Sequence, residues 1–286
     1  MKKVHLPYFQ YKEAQKKDKK VVIFSGSPRA EKNCPGQDGK TLELAKIAAA
    51  SFPENFEVEL IDLAIRDIGT TIQPCKGCIS TAGGYHCHFP CSCYKKADSD
   101  SPVKDLMYEE DIYQKLLDCD AFMVFSPIHW YSISSPIKLL FDRLVCISGT
   151  LPADFAMKEL GKDVEKTTKA SKEGIYDDKL RNWLEGKYAA FFVHGDDGAD
   201  DWKRVPIPDS FDRDYDKIAN DPKHVIMPIV ATCRYCGVFV PNDLITGVHV
   251  NKKISYAEAN ERFVHEQNNF KQLAADLSNK LINYLK

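Results

Sequence analysis

Three short runs constrain this chain most: KKVVIFSG (19–26), AFMVFSP (121–127) and KYAAFFVHGDDG (187–198). A strand with one face in water alternates apolar and polar residues. Runs that are solidly apolar and rich in Val, Ile and Phe need cover on both faces, as the inner strands of a parallel sheet do. FEVELIDL (56–63) alternates like a further strand, and VFVP (238–241) reads as a short fifth. Segments of helical period separate them. KTLELAKIAAASF (40–52) is one, and KDLMYEEDIYQKLLDC (104–119) is another, with Ile112 and Leu116 on one face. SSPIKLLFDRLVC (134–146) opens with a serine cap and Pro136 near the first helical position. KHVIMPIVATCRYCG (223–237) reads as a helix kinked at Pro228, and 255–286 as a long amphipathic one striped by Phe270, Leu273, Leu277, Leu281 and Leu285. Strands alternating with helices specify an α/β fold, a parallel sheet between two helical layers. Ligands of such sheets bind beyond the carboxyl ends of the strands.

The 286 residues, 44% of them hydrophobic, suffice for one large domain over 20–286. It carries a cysteine-rich loop (74–94), a polar insertion (147–186) and the C-terminal helix, behind a lysine-rich arm at 1–19. Basic residues number 39 against 41 acidic, so no nucleic-acid footprint is visible. No apolar run nears the ~20 residues of a membrane span, and the first residues lack a signal-peptide apolar core. The expectation is a cytoplasmic protein whose ten cysteines are not structural disulfides.

Three strand ends carry chemistry. Ser25-Gly26-Ser27-Pro28-Arg29 leads through a loop to Gly39-Lys40-Thr41 at a helix start. Hydroxyls, a guanidinium and a helix N-terminus together make an anion site, and phosphate fits it. A P-loop would need glycine where Cys34 stands, so a nucleoside triphosphatase relying on Lys40 is a weaker alternative. Ser126-Pro127-Ile128-His129-Trp130-Tyr131 places aromatic groups past a buried strand, where they stack on a flat heterocycle or pack into the core. His194-Gly195-Asp196 ends the fourth strand, and its glycine allows a close backbone approach.

VVIFSGSPR…GKT followed by SPIHWYSISSPIKLLFDRL resembles the NADPH-dependent FMN reductase family of flavodoxin-like proteins, over roughly residues 20–200. The resemblance implies a three-layer sandwich with a five-stranded parallel sheet in the order 2-1-3-4-5. It implies FMN, with Ser25, Ser27, Arg29 and Thr41 on the phosphate. Pro127, Ile128, His129 and Trp130 would cradle the ring, and His194, Gly195 and Asp196 would close over it. The reaction implied is hydride transfer from NAD(P)H to FMN, then electron transfer to a quinone, flavin, metal ion or nitro/azo acceptor. NAD(P)H and acceptor would use one face in turn, with no side chain acting as a catalytic acid or nucleophile. Homodimers or homotetramers, with a neighbour completing the flavin site, are also implied. An electron carrier without its own small-molecule substrate is the alternative.

The loop PCKGCISTAGGYHCHFPCSCY (74–94) offers Cys75, Cys78, Cys87, Cys91 and Cys93, interleaved with His86 and His88. Thiolates at such spacing can hold Zn²⁺ or an iron–sulfur cluster; a reduced loop whose cysteines simply pack is the other reading. The loop partly resembles that of iron–sulfur flavoproteins, whose C-x2-C-x2-C run is broken here by Thr81. Cys233 and Cys236 form a second C-x2-C that reads as core.

Overall fold

The computed structural model describes residues 19–31, 36, 38–64, 71–78, 83–98, 103–130, 132–196, 222–250 and 256–286. The expected arm at 1–19 lies outside these residues apart from Lys19, as do Tyr131 and the loop after Asp196.

Five parallel strands form the central sheet: β1 (Lys19–Ser25), β2 (Phe56–Asp62), β3 (Ala121–His129), β4 (Tyr188–Asp196) and β5 (Ile245–Val250). They lie in the order β2-β1-β3-β4-β5, and Ser132–Ile133 adds a two-residue antiparallel pair beside β3. Register aligns Val21 with Ala121, Ala121 with Tyr188, and Pro127 with His194. The carboxyl ends of β1, β3 and β4 therefore meet at one edge, where the strand order reverses between β1 and β3. This is the flavodoxin-like arrangement.

Among the described residues the helices are α1 (Lys40–Ala50), α2 (Leu106–Glu109), α3 (Ile112–Asp118), α4 (Ser135–Arg143), α5 (Ala153–Glu159), α6 (Val164–Glu173), α7 (Met227–Tyr235) and α8 (Tyr256–Leu285). Alternate residues of the inner strands feed opposite cores. Val22, Phe24, Phe122, Val124, Phe191 and Val193 pack with Ile112, Leu116, Ile137, Leu140 and Val230 on one face. Val21, Ile23, Met123, Phe125 and Phe192 pack with Leu44, Ala48, Phe270, Leu277 and Leu281 on the other. Solid apolar runs in the sequence correspond to strands covered on both faces, as the physics requires.

Several sequence expectations need correction. VFVP (238–241) is not the fifth strand; Phe239 makes only an isolated bridge to Tyr188, and the sheet continues instead with Ile245–Val250. The helix expected over 104–119 is two, broken where Asp111 takes a left-handed φ of 49°. Pro228 does not kink a helix but starts α7, where its missing N–H costs nothing. Val145 and Cys146, expected at the end of a long helix, fall in a 3₁₀ turn that follows Arg143.

The insertion folds against the cysteine loop. Leu151–Pro152 pairs in parallel with His88–Phe89, and Tyr85, Leu151, Ala156, Leu160 and Ala170 share a small core. The Tyr85 hydroxyl donates to Asp177 at 2.6 Å and accepts from the Tyr176 N–H at 2.7 Å.

Candidate functional site

A cavity of about 280 Å³ opens at the carboxyl ends of β1, β3 and β4, lined by residues 27–29, 39–41, 127–129 and His194. That is close to the lower end of the ~300–1,000 Å³ usual for small-molecule sites. Seven of the eleven expected cofactor residues meet here: Ser27, Arg29, Thr41, Pro127, Ile128, His129 and His194. Their convergence follows from the sheet register, since they come from four separate stretches of the chain.

One half of the cavity is built from the turn after β1 and the start of α1. Gly39 is the residue before the helix, and a Cβ there would sit 2.1 Å from the Ser27 hydroxyl oxygen, so the serine occupies the space that only glycine leaves. Ser27 Oγ in turn accepts the Arg29 N–H at 3.2 Å and fixes the turn. Burial lowers the pKa of Lys40, and the nearby Arg29 cation lowers it further. Two cations beside a helix N-terminus create a field that an anion would relieve. Thr41 is buried, and its hydroxyl shares a 2.8 Å hydrogen bond with His194 Nε2, which ties α1 to the end of β4.

The His194 pKa falls to about 4, because burial removes water from the ring and Lys40 repels its charge. The imidazole is therefore neutral at pH 7 and serves as a hydrogen-bonding wall. The consequence for stability has a definite sign. As pH falls from 6.5 towards 4, the unfolded chain takes up a proton that folded His194 refuses, so stability is lost at about 1.4 kcal/mol per pH unit. The total is on the order of 3 kcal/mol. His194→Gln should remove roughly 2.4 kcal/mol of the loss between denaturation curves at pH 7 and pH 4.5; equal losses in both proteins would contradict the assignment.

The remaining expected residues fall differently. Ser25 is fully buried, does not line the cavity, and its hydroxyl has no hydrogen-bond partner. Trp130 follows β3 in a turn with φ 49° and is 84% exposed, so it is neither core nor cavity wall. Gly195 is needed for packing: a Cβ there would lie 2.7 Å from the Ile128 Cβ. Asp196 is the last residue of β4. The expected site set left out Gly39 and Lys40, although the GKT motif marked the position.

The edge of the sheet is set by a neighbouring glycine. Gly26 N–H bonds the Phe125 carbonyl at 2.8 Å, and a Cβ on Gly26 would lie 2.1 Å from Ile137 of α4. Ser134, just before α4, donates its hydroxyl to the Gly26 carbonyl. The start of α4 thus rests directly on the turn that leads into the cavity.

Residues 19–161, half the chain, match the family model described as NADPH-dependent FMN reductase. The chain belongs to this family of oxidoreductases. Among curated relatives, an iron–sulfur flavoprotein of Methanocaldococcus jannaschii is 28% identical over 124 residues, covering 43% of this chain and 51% of the relative. An iron–sulfur flavoprotein of Methanosarcina thermophila is 28% identical over 128 residues, covering 45% and 53%. The chain thus spans about half the length of the curated relatives it matches. Among solved structures, an FMN-dependent NADH-azoreductase from Bacillus anthracis in complex with FMN aligns over 92% of this chain and 99% of its own, with 11% identity and a TM-score of 0.44. No helix among the described residues is long and apolar enough to cross a membrane.

A second cavity, about 240 Å³, lies between the cysteine loop and the insertion. Cys78, Cys87, Cys91 and Cys93 line it, with His86, His88 and Lys162. The five expected metal ligands, Cys75, Cys78, Cys87, Cys91 and Cys93, are not brought to one point. Among the described residues no three His, Cys, Asp or Glu side chains are grouped to hold a metal ion. His88 has both ring nitrogens engaged, with the Pro90 carbonyl at 3.0 Å and the Ser92 hydroxyl at 2.9 Å. The thiols instead contact one another: Cys93 lies 3.3 Å from Cys78 and also hydrogen-bonds Cys91, and Cys87 bonds buried Cys146. The Cys146 hydrogen bond lowers the Cys87 pKa against an opposing effect of burial, while burial pushes Cys146 well up. Cys146 was invisible in the loop motif, because 3₁₀ geometry after α4 brings it there. The geometry does not fit the iron–sulfur cluster that the relatives' names suggest. Cys233 and Cys236 are buried in the core, as read.

Proposed function

We propose that the cavity at the ends of β1, β3 and β4 holds FMN and that the protein is an FMN-dependent NAD(P)H oxidoreductase. The supporting observation is the Gly39–Ser27 cradle beside Arg29 and Lys40 at the start of α1, an anion site at the switch point of a parallel sheet. Ser27, Arg29, Thr41 and the backbone of the first turn of α1 bind the phosphate. His194 holds the Thr41 hydroxyl through Nε2 and stays uncharged, so the site's positive charge comes from Arg29, Lys40 and the helix end. Pro127 and Ile128, half-buried on the cavity wall, give the ring an apolar shelf whose height is fixed by contact between Ile128 and Gly195. His129 and Trp130 stand exposed next to that shelf, where a nicotinamide or a flat acceptor can stack. FMN held there by these residues would supply the two-electron chemistry between a nicotinamide and a quinone, flavin, metal ion or nitro/azo compound. The protein's own work is to bind, orient and neutralise charge.

Sharing of one face by both substrates has a kinetic signature. With NADPH and a quinone as the varied pair, initial rates of the FMN-loaded protein should give parallel double-reciprocal lines, the mark of alternating occupancy. Converging lines, or NADPH oxidation that does not depend on added FMN, would count against the reading.

A further inference from the structure

The cysteine loop fits a dithiol better than a metal centre. Cys78 and Cys93, 15 residues apart, hold their sulfurs 3.3 Å from each other as a hydrogen-bonded pair. Neither segment is loosely placed. The Tyr94 hydroxyl donates to the Pro74 carbonyl at 2.8 Å, and the Lys76 ammonium bonds the Cys93 carbonyl at 3.3 Å. The same ammonium lies 4.7 Å from the centre of the Tyr94 ring. Tyr108 donates its hydroxyl to the Cys91 carbonyl and anchors the second segment to the core. Residues 74–76, just before Cys78, are thereby clamped to Cys93 and Tyr94.

Two thiols held this way react with each other at a high effective concentration, and a shift of about 1.3 Å brings them to bonding distance. Both sulfur-bearing residues are half-buried and line the 240 Å³ cavity, so a small reagent can reach them. Cys87 also borders the cavity, but its partner Cys146 is fully buried and does not line it, so a reagent that reaches Cys87 finds no accessible second thiol there. Cys91 hydrogen-bonds Cys93 as well, but only one residue separates them, whereas Cys78 and Cys93 come from two segments held side by side.

We propose that Cys78 and Cys93 form a reversible dithiol–disulfide couple that exchanges with small-molecule disulfides through the cavity they line. The step balances without a metal. One thiolate of the pair attacks a sulfur of the small disulfide RSSR, forming a mixed disulfide and releasing RS⁻. The second thiolate attacks the protein sulfur of that mixed disulfide and releases the other RS⁻. RSSR gains two electrons, the protein pair loses two, and the two thiol protons leave on two RSH. The proposal is independent of flavin binding, since none of these residues lines the FMN cavity.

The test uses the full chain, purified without air and treated with oxidised glutathione or oxidised dithiothreitol. Denaturing alkylation should show two of the ten thiols lost, and peptide mapping should find Cys78 joined to Cys93. Reduced dithiothreitol should restore both. Cys78→Ser and Cys93→Ser should each abolish the two-thiol loss, whereas Cys91→Ser should keep it, with thermal melts confirming that the variants fold. Mapping of the unmutated chain decides the matter even where a variant fails to fold. An unchanged thiol count, a disulfide between other cysteines, or stoichiometric iron or zinc that Cys78→Ser releases would overturn the proposal.

Discussion

Asp105→Ala should lower the melting temperature by roughly 10 °C, the largest stability effect expected of a single polar substitution in this chain. Asp105 and Arg143 are both fully buried, and Arg143 Nη1 lies 2.6 Å from Asp105 Oδ2. The same nitrogen donates to the Gln73 carbonyl at 3.1 Å, and the guanidinium stands 4.6 Å from the centre of the Tyr94 ring. Asp105 Oδ1 accepts the Gln73 N–H at 3.2 Å and caps α2 by accepting the Met107 N–H at 3.3 Å. One carboxylate thus joins the entry to the cysteine loop, the start of α2 and the end of α4. Removing it leaves a guanidinium buried without its counter-charge, which costs about 3–5 kcal/mol. Arg143 already has Nε and Nη2 without hydrogen-bond partners, so nothing nearby takes over the lost interaction. The double replacement Asp105→Leu with Arg143→Met should be less destabilised than Asp105→Ala, since it removes the buried charge as well. Calorimetry of the three proteins measures this. An Asp105→Ala protein that melts within a degree or two of the wild type would contradict the buried-pair account.

Gly39→Val should weaken FMN binding on the order of 100-fold, about 2.7 kcal/mol, with little change in fold. Gly39 has φ −69° and ψ 141°, a conformation open to any residue, so the backbone carries no strain when a side chain is added. The cost is local. The new Cβ would meet Ser27 Oγ at 2.1 Å and Ser27 Cβ at 2.6 Å, and rotation of the serine cannot clear its own Cβ. Ser27 and the Arg29 turn it holds must therefore move away from the helix N-terminus, opening the phosphate cradle. Fluorescence titration with FMN and far-ultraviolet circular dichroism separate the two effects. Unchanged affinity in the folded variant would remove Gly39 and Ser27 from the binding site.

Much of the fold could be read from residue pattern alone, because β1, β3 and β4 are covered on both faces and leave solid apolar runs. Their ends are legible for the same reason: Ser27 follows β1 closely, and Pro127 and His194 stand in the last three residues of β3 and β4. The fifth strand was misplaced because it is an edge strand. ITGVHV contains Thr, Gly and His and is only partly covered, while nearby VFVP is more apolar yet supplies a single bridge to Tyr188. The break between α2 and α3 rests on one left-handed residue, Asp111, which no periodicity announces. Ser25 looked like a ligand because it belongs to a hydroxyl-rich turn, but strand alternation places its side chain in the buried interior. The pairing of thiols, Cys78 with Cys93 and Cys87 with Cys146, depends on how the insertion and α4 pack. Spacing within the loop carried no information about it.

Residues 27–29 and 39–41 stand proposed as an FMN phosphate site at the carboxyl end of this sheet. The direct measurement is an FMN titration of the flavin-free protein, followed anaerobically by NADPH, with the visible spectrum recorded throughout. Saturation at one FMN per chain, and bleaching of the bound flavin on NADPH addition, are the expected results. A folded protein that takes up no FMN, or binds it equally well after Arg29→Ala and Gly39→Val, would contradict it.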